Sequence, residues 1–198
     1  DFNLMKFLFP TVIHETLVPN FDQDTCVKIA RQLKKEDPKG VIKSNITGWQ
    51  SDFIYPNSND YFTNVISNTL SNYFDGQKIF KNFKLNIQGY WVNINQPGAL
   101  NNMHDHPDSH LAGVIWIKTN EESGKLQFRN PTSFSENRIL DLYTDEFSNN
   151  HSLHAAYYID PLPGGCALFP SHLNHWVTLN KSKEERISIS FNLHLAEQ

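Results

Sequence analysis

From residue 83 onward, hydrophobic residues recur at every second position, which is the spacing of a β-strand with one buried face. The clearest case is residues 186–195, RISISFNLHL, in which Ile, Phe or Leu alternates with a polar residue. Further short strands are predicted at residues 83–95, 110–118, 125–131, 155–161, 165–170 and 175–180. Gly and Pro turns separate these strands without helical patterns between them, so an antiparallel sandwich or barrel is predicted. The polar face of the last strand lies in solvent or lines a polar cavity.

Two amphipathic helices precede the predicted strands. The first, at residues 21–37, has apolar side chains at helical spacing, and Asp22 or Asp24 can cap its first turn. The second has a stronger apolar stripe, with Asp60 as its N-cap and Gly76 as the residue that ends it. We expect both helices to pack against a sheet.

The length and charge of the chain limit the number of domains and the kinds of partner that it can have. A chain of 198 residues is long enough for one domain (1–198), in which we expect residues 1–80 to support a β-core at residues 83–196. Lys and Arg number 17 against 21 Asp and Glu, and the resulting net charge of −4 argues against a nucleic-acid partner. The sequence has no apolar run of the roughly 20 residues that span a membrane.

The cysteines and the first residues bear on the cellular compartment. Cys26 and Cys166 lie far apart and do not make a disulfide framework, which favours a reducing compartment. The opening segment DFNLMKFLFP lacks the apolar core and the cleavage site of a signal peptide. We therefore expect a cytoplasmic protein.

Two histidine clusters have the pattern of a metal site. In the first, GALNNMHDHPD, His104 and His106 are two residues apart at the expected end of a strand, so their side chains project from one face. Asp105 should point to the other face, whereas Asp108 can return toward the histidines from the loop that follows. Imidazole and carboxylate ligands on one face suit an octahedral ion such as Fe(II), with positions left open for substrate and O₂.

The second cluster, FPSHLNHWV, adds a histidine from another strand. His175 begins an apolar strand, and His172 lies three residues earlier in the turn. Arg186 follows eleven residues after His175 and heads the polar face of the last strand, which also carries Ser188. A guanidinium suits the bidentate capture of a carboxylate, and a serine hydroxyl adds a donor. These residues together predict a clamp for a small dicarboxylate beside a metal ion.

As a set, these motifs resemble those of Fe(II)/2-oxoglutarate-dependent oxygenases, in particular a prolyl-4-hydroxylase-like branch from bacteria and phages. The matching segments run over most of the chain: GWQS (48–51), QPGALNNMHDHP (96–107), AGVIWI (112–117), GGCALFPSHLNHWV (164–177) and RISISFN (186–192). The resemblance implies a mainly β fold, namely a double-stranded β-helix (jelly roll) with the N-terminal helices packed on one sheet.

The resemblance also implies roles for single residues. His104 becomes the first iron ligand and His175 the distal one. Arg186 becomes the partner of the C5 carboxylate of 2-oxoglutarate, assisted by Ser188. Trp116 stands where relatives often carry a tyrosine that lines the cosubstrate pocket.

The third metal ligand has two candidates. His106 occupies the position of the usual carboxylate, and the pattern H-x-H-P is common in this branch, so we favour a face of His104, His106 and His175. In the alternative, Asp108 supplies the carboxylate, either with His106 and His175 as a shifted H-x-D motif or by reaching in from the loop. Replacing a carboxylate with a neutral imidazole raises the net charge at the metal by one unit.

The activity that the resemblance implies is hydroxylation of an unactivated C–H bond with Fe(II), 2-oxoglutarate and O₂. The substrate is a peptidyl prolyl residue or a small molecule, and the long acidic loop at residues 131–152 is a candidate lid that selects it. Two other functions compete with this one. The segment from Gly98 to His106 also fits the first cupin motif, which would give a metalloprotein that does not use 2-oxoglutarate, and a non-catalytic β-sandwich module would leave the histidines without a role.

Overall fold

Two antiparallel sheets pack face to face in the computed structural model of the chain, which describes residues 10–75, 83–132 and 138–197. The major sheet has six strands, in the spatial order β1 (His14–Leu17), β9 (Gly165–Pro170), β6 (Leu111–Lys118), β11 (Arg186–Glu197), β4 (Phe83–Asn95) and β3 (Trp49–Gln50). The minor sheet has five, in the order β2 (Asn45–Ile46), β5 (Leu100–His104), β10 (His175–Val177), β7 (Leu126–Arg129) and β8 (Ala156–Ile159).

The two predicted helices pack on the outer face of the major sheet. Helix α1 (Gln23–Glu36) begins at Asp22, whose carboxylate accepts a hydrogen bond from the Thr25 amide at 3.0 Å. Helix α2 (Tyr61–Phe74) begins at Asp60 in the same way. Their buried residues form one apolar cluster with the outer face of the sheet, and this packing makes β11 a strand that is covered on both sides. Gly76, which was predicted to end the second helix, lies outside the described residues.

The polar face of β11 is buried at its start, half-buried at Ser190 and Asn192, and exposed at His194. Its apolar residues face the helices, so the alternate residues point into the space between the two sheets. Arg186 is only 2% exposed and Ser188 is also buried. Of the two interpretations of this face, the structure favours a polar interior over solvent for Arg186 and Ser188, because Arg186 contacts Asn101 of the minor sheet.

Some segments that the sequence pattern left without regular structure form short elements. Strand β1 pairs with β9 at the edge of the major sheet, and β2 and β3 lie in the segment between the helices. Within the predicted loop 131–152, a 3₁₀-helix (Arg138–Leu142) is followed by α3 (Asp145–His151). The α3 helix begins at Thr144, whose hydroxyl accepts a hydrogen bond from the Phe147 amide at 3.2 Å.

Both cysteines are buried and unpaired. Burial raises the pKa of the Cys166 thiol to about 12 and that of the Cys26 thiol to about 11, so both are protonated at neutral pH. In the part of the chain that the structure describes, no helix has the length and apolar character needed to cross a lipid bilayer.

Candidate metal centre

Three histidines from two distant segments of the chain meet between the sheets. His104 ends β5 and His175 begins β10, and these two residues are direct partners in the antiparallel pairing of the strands. His106 follows two residues after the end of β5. Ring nitrogens of all three lie within 4.8 Å of one another, and the Nε2 atoms of His106 and His175 are 3.3 Å apart. Two nitrogens bound at right angles to one first-row metal ion at about 2.1 Å would be about 3.0 Å apart, so the spacing suits an ion.

Backbone carbonyls orient two of the three rings. The Nδ1 atom of His104 lies 2.7 Å from the carbonyl oxygen of Asn102, and Nδ1 of His175 lies 2.8 Å from that of Leu173. A carbonyl only accepts, so each Nδ1 carries the proton and each Nε2 keeps a lone pair. Imidazoles that bind metals are held in this way by a partner on the other ring nitrogen.

A β-bulge in β5 sets the direction of its side chains. His104 is paired with His175, but Asn101 is paired with Val177, so three residue steps on β5 oppose two on β10. The extra residue brings Asn101 and His104 to the same side, whereas Asn102 and Met103 between them are both exposed. The bulge therefore places a metal-ligand candidate and a buried amide side by side.

Burial keeps the histidine cluster neutral. Desolvation, reinforced by the neighbouring imidazoles, lowers the pKa of His106 to about 4 and that of His175 to about 3. The pKa of His104 is also lowered, again mainly by desolvation. At neutral pH all three rings are uncharged, which is the form that binds a metal ion.

The acidic candidates lie outside this cluster. Asp105 and Asp108 are both exposed, and the group of ligand-type side chains found among the described residues contains only the three histidines. The backbone carbonyl of Asp108 accepts a hydrogen bond from the side chain of Gln88 at 3.0 Å. His172 is exposed in the turn before β10.

Arg186 is a buried cation that has no acidic partner among the described residues. Its Nη1 donates to the carbonyl oxygen of Ser123 at 3.1 Å, and its Nη2 donates to Oδ1 of Asn101 at 3.4 Å. None of the ion pairs in the described ranges includes Arg186. Burial lowers the pKa of Arg186 to about 10, so the guanidinium is still charged at neutral pH. Its side chain reaches from the major sheet to β5 of the minor sheet, which also carries His104.

Ser188 and Trp116 are adjacent on neighbouring strands. Ser188 on β11 is paired with Trp116 on β6 and with Asn93 on β4. Trp116 is 5% exposed and belongs to the apolar cluster between the sheets. Both residues therefore face the space into which Arg186 also projects.

Sequence reasoning missed the polar residues around Arg186 and the aromatic contact of His106. Asn101 and Asn95 are buried, and the side-chain amide of Asn95 donates to Oδ1 of Asn101 at 3.3 Å. The Trp91 ring lies 5.5 Å from the His106 ring, measured between centroids. The two asparagines directly before Met103 were the available signal, but without the bulge nothing marks Asn101 as buried.

The donor set fits a first-row metal ion and an anion together. Three neutral imidazoles suit Fe(II), two of them with an Nε2 lone pair left free by the Nδ1 contact, and they leave the charge of the ion uncompensated. Arg186 contributes a second buried positive charge without a counter-ion among the described residues. A dianion such as 2-oxoglutarate, which has one carboxylate for the metal and one for the guanidinium, would offset two of these three positive charges.

The sequence of the chain matches a model of a known protein family. Residues 89–192, more than half of the chain, match the family model described as "Putative 2OG-Fe(II) oxygenase". No match is found among curated protein sequences.

Solved structures show the same fold at low sequence identity. A Pseudomonas putida prolyl-4-hydroxylase is 12% identical with a TM-score of 0.62, over 93% of this chain and 92% of that chain. The collagen prolyl hydroxylase of Paramecium Bursaria Chlorella virus-1, in its 2OG complex, is 16% identical with a TM-score of 0.56, over 92% and 96%. HygX from Streptomyces hygroscopicus, with nickel, 2-oxoglutarate and hygromycin B bound, is 10% identical with a TM-score of 0.58, over 93% and 83%.

These likenesses confirm the double-stranded β-helix with helices on one sheet. Fe(II), 2-oxoglutarate and O₂ are the cofactor and cosubstrates that the matched family requires. The chain belongs to the 2OG-Fe(II) oxygenase family.

Proposed function

We propose that this protein is a dioxygenase that hydroxylates an unactivated C–H bond. His104, His106 and His175 are its metal ligands in this proposal. The observation that carries it is the buried, unneutralised guanidinium of Arg186, which reaches toward the strand that ends in His104. A buried cation without a counter-ion lowers the stability of the fold. A protein that had this fold but did not bind an anion would have no use for such a cation.

Each proposed site residue has a task that its surroundings support. The carbonyls of Asn102 and Leu173 hold two imidazoles so that their lone pairs meet between the sheets. Arg186 binds the C5 carboxylate of 2-oxoglutarate, and the Ser188 hydroxyl on the same face of β11 assists it. When bound, Fe(II) with 2-oxoglutarate and O₂ supplies the oxidant, and 2-oxoglutarate is converted to succinate and CO₂.

Trp116 completes the proposed pocket as an apolar wall. It is paired with Ser188, and its indole packs among the apolar side chains between the sheets. An indole donates a hydrogen bond but does not accept one, so its contribution is shape and exclusion of water rather than acceptance of a proton.

The substrate in this proposal is a peptidyl prolyl residue or a small molecule. Solved structures with this fold include prolyl hydroxylases and HygX with hygromycin B. The segment 131–152, which includes α3, is proposed to select between them. Because Cys26 and Cys166 are unpaired thiols, we also propose that the protein works in a reducing compartment, the cytoplasm.

Succinate formation in air tests the proposed function. The wild-type protein should form succinate only when Fe(II) and 2-oxoglutarate are both present, and a true substrate should accelerate it. His175→Gln should remove this activity, whereas His172→Gln, which alters an exposed histidine three residues away, should retain it. A cupin that does not use 2-oxoglutarate would form no succinate, and an Arg186→Ala variant would then keep its metal-dependent properties.

A further inference from the structure

We propose that Asn101 is a positioning residue that holds Arg186 in place while leaving its charge free for the distal carboxylate of the cosubstrate. This inference rests on the proposed function, because it concerns how the chain prepares the guanidinium for 2-oxoglutarate. Asn101 lies in β5, the strand that ends at the proposed metal ligand His104.

Hydrogen bonds fix which way the Asn101 amide points. Its Oδ1 accepts from Nη2 of Arg186 at 3.4 Å and from Nδ2 of Asn95 at 3.3 Å. Its Nδ2 donates to the hydroxyl of Ser44 at 3.3 Å. A guanidinium can only donate, so the amide oxygen must face Arg186. Asn101 is 7% exposed, and Asn95 and Arg186 are also buried, whereas Ser44 is half-buried.

Among the described residues, both groups that accept hydrogen bonds from Arg186 are neutral. They are the amide oxygen of Asn101 and the backbone carbonyl of Ser123, and no described Asp or Glu forms an ion pair with the guanidinium. Arginine has five N–H donors, so a ligand can still approach the others. Neutral acceptors stabilise the cation and aim it, but they leave its full charge for an anion from outside.

The bulge in β5 explains why this residue can act on Arg186. Without the extra residue, positions 101 and 104 would point to opposite faces of the strand. With it, Asn101 is buried against Arg186 while His104 joins the histidine cluster. One strand therefore supplies a metal ligand and the support of the anion clamp, which fixes the distance between the two ends of the cosubstrate site.

The proposal can be tested by replacing the neutral amide at this position with an acid. Aspartate has almost the same shape as asparagine, but the substitution Asn101→Asp would place a carboxylate against the Arg186 guanidinium. The resulting internal ion pair would neutralise the clamp before any cosubstrate arrives. Asn101→Asp should therefore weaken binding of ligands that carry the distal carboxylate and spare those that lack it.

Calorimetry on the Mn(II)-loaded full chain, under nitrogen, compares two ligands. One is 2-oxoglutarate, and the other is 2-oxopentanoate, which has a methyl group in place of the distal carboxylate. Asn101→Asp should raise the Kd for 2-oxoglutarate about 30-fold or more and leave that for 2-oxopentanoate within about threefold of wild type. Asn59→Asp makes the same chemical change at an exposed position and should alter neither Kd.

A second variant covers the case in which Asn101→Asp does not fold. Asn101→Ser keeps the site neutral but is too short to hold Arg186, so it should weaken 2-oxoglutarate about fivefold and leave 2-oxopentanoate unchanged. Unchanged affinity for 2-oxoglutarate in the folded variants would overturn the inference, and so would equal weakening of both ligands. If the wild-type protein binds Mn(II) but not 2-oxoglutarate, the proposed function fails and the inference fails with it.

Discussion

Replacement of Arg186 with methionine should weaken the binding of 2-oxoglutarate and leave the stability of the fold nearly unchanged. Methionine approaches the length of the side chain but carries no charge, and Arg186 is 2% exposed without an acidic partner among the described residues. Burying an unpaired charge costs several kcal/mol, which the variant would recover. It would lose two charge-assisted hydrogen bonds, worth about 1.5–3 kcal/mol each. These effects nearly cancel, so the free energy of unfolding should stay within about 2 kcal/mol of wild type.

The affinity for 2-oxoglutarate should respond quite differently. Two hydrogen bonds from the guanidinium to a carboxylate contribute about 3–5 kcal/mol, so the Kd should rise at least a hundredfold or so. Thermal denaturation of the Ni(II)-loaded protein without 2-oxoglutarate compares the stabilities of the two proteins. The shift in Tm on adding 2-oxoglutarate reports its binding, and 2-oxoglutarate should raise the Tm of the wild type but not that of Arg186→Met. Arg31→Met is a matched control, because Arg31 is an exposed arginine that pairs with Glu185. If 2-oxoglutarate raised the Tm of Arg186→Met as much as that of the wild type, the reasoning would be refuted.

Three further perturbations test other parts of the site. His106→Ala should weaken Ni(II) binding at least about tenfold in equilibrium dialysis while Asp108→Asn leaves it unchanged, and the reverse pattern would make Asp108 the ligand. The metal-free protein should lose stability as the pH falls from about 6.5 to 4, because the unfolded chain takes up protons that the folded chain cannot place on His175, whose pKa is about 3. The urea midpoint reports this loss, which His175→Gln should diminish, and a wild-type midpoint that stays constant over this window would contradict it. Gly124→Ala should lower the unfolding free energy by about 2–3 kcal/mol, because its φ is +89° and a Cβ would overlap a backbone carbonyl. Gly98→Ala, at a φ of +83° with open space around it, should cost only about 1 kcal/mol, and equal midpoints for the two variants would refute the packing argument.

Features that depend on residues close together in the chain could be predicted from the sequence. Asp60 caps the second helix as predicted, and Asp22, one of the two candidates, caps the first, because an N-cap needs only a side chain that reaches an amide three residues on. The alternation in β11 likewise predicted the correct faces, since a strand projects alternate residues to opposite sides. Which part of its polar face would be buried depended on where the minor sheet covers β11, and a local pattern does not encode this.

Features that depend on pairing between distant strands could not be read in this way. The bulge in β5 exists only relative to β10, so no local pattern indicated that Asn101 and His104 share a side. Strand β1 is similar, because its four residues become a strand by pairing with β9. Such elements are determined by tertiary contacts rather than by their own composition.

The third candidate ligand also depends on contacts that the local sequence does not encode. The i, i+2 rule that placed His106 beside His104 holds within a strand, but β5 ends at His104. The loop that follows β5 determines where His106 lies. The backbone amide of His106 donates a hydrogen bond to the carbonyl oxygen of Ser171 at 2.9 Å. The sequence therefore left His106 and Asp108 as alternatives, and the structure brings His106 to the cluster while Asp108 stays exposed.

Anaerobic titration of the Fe(II)-loaded protein with 2-oxoglutarate tests most directly whether this site binds metal and cosubstrate together. If His104, His106 and His175 hold the iron and Arg186 holds the distal carboxylate, a visible metal-to-ligand charge-transfer band should grow and saturate at one 2-oxoglutarate per chain. The band should be missing in His175→Gln and should need far more 2-oxoglutarate in Arg186→Met. Absence of the band from the wild-type protein at saturating Fe(II) and 2-oxoglutarate would contradict the proposed site.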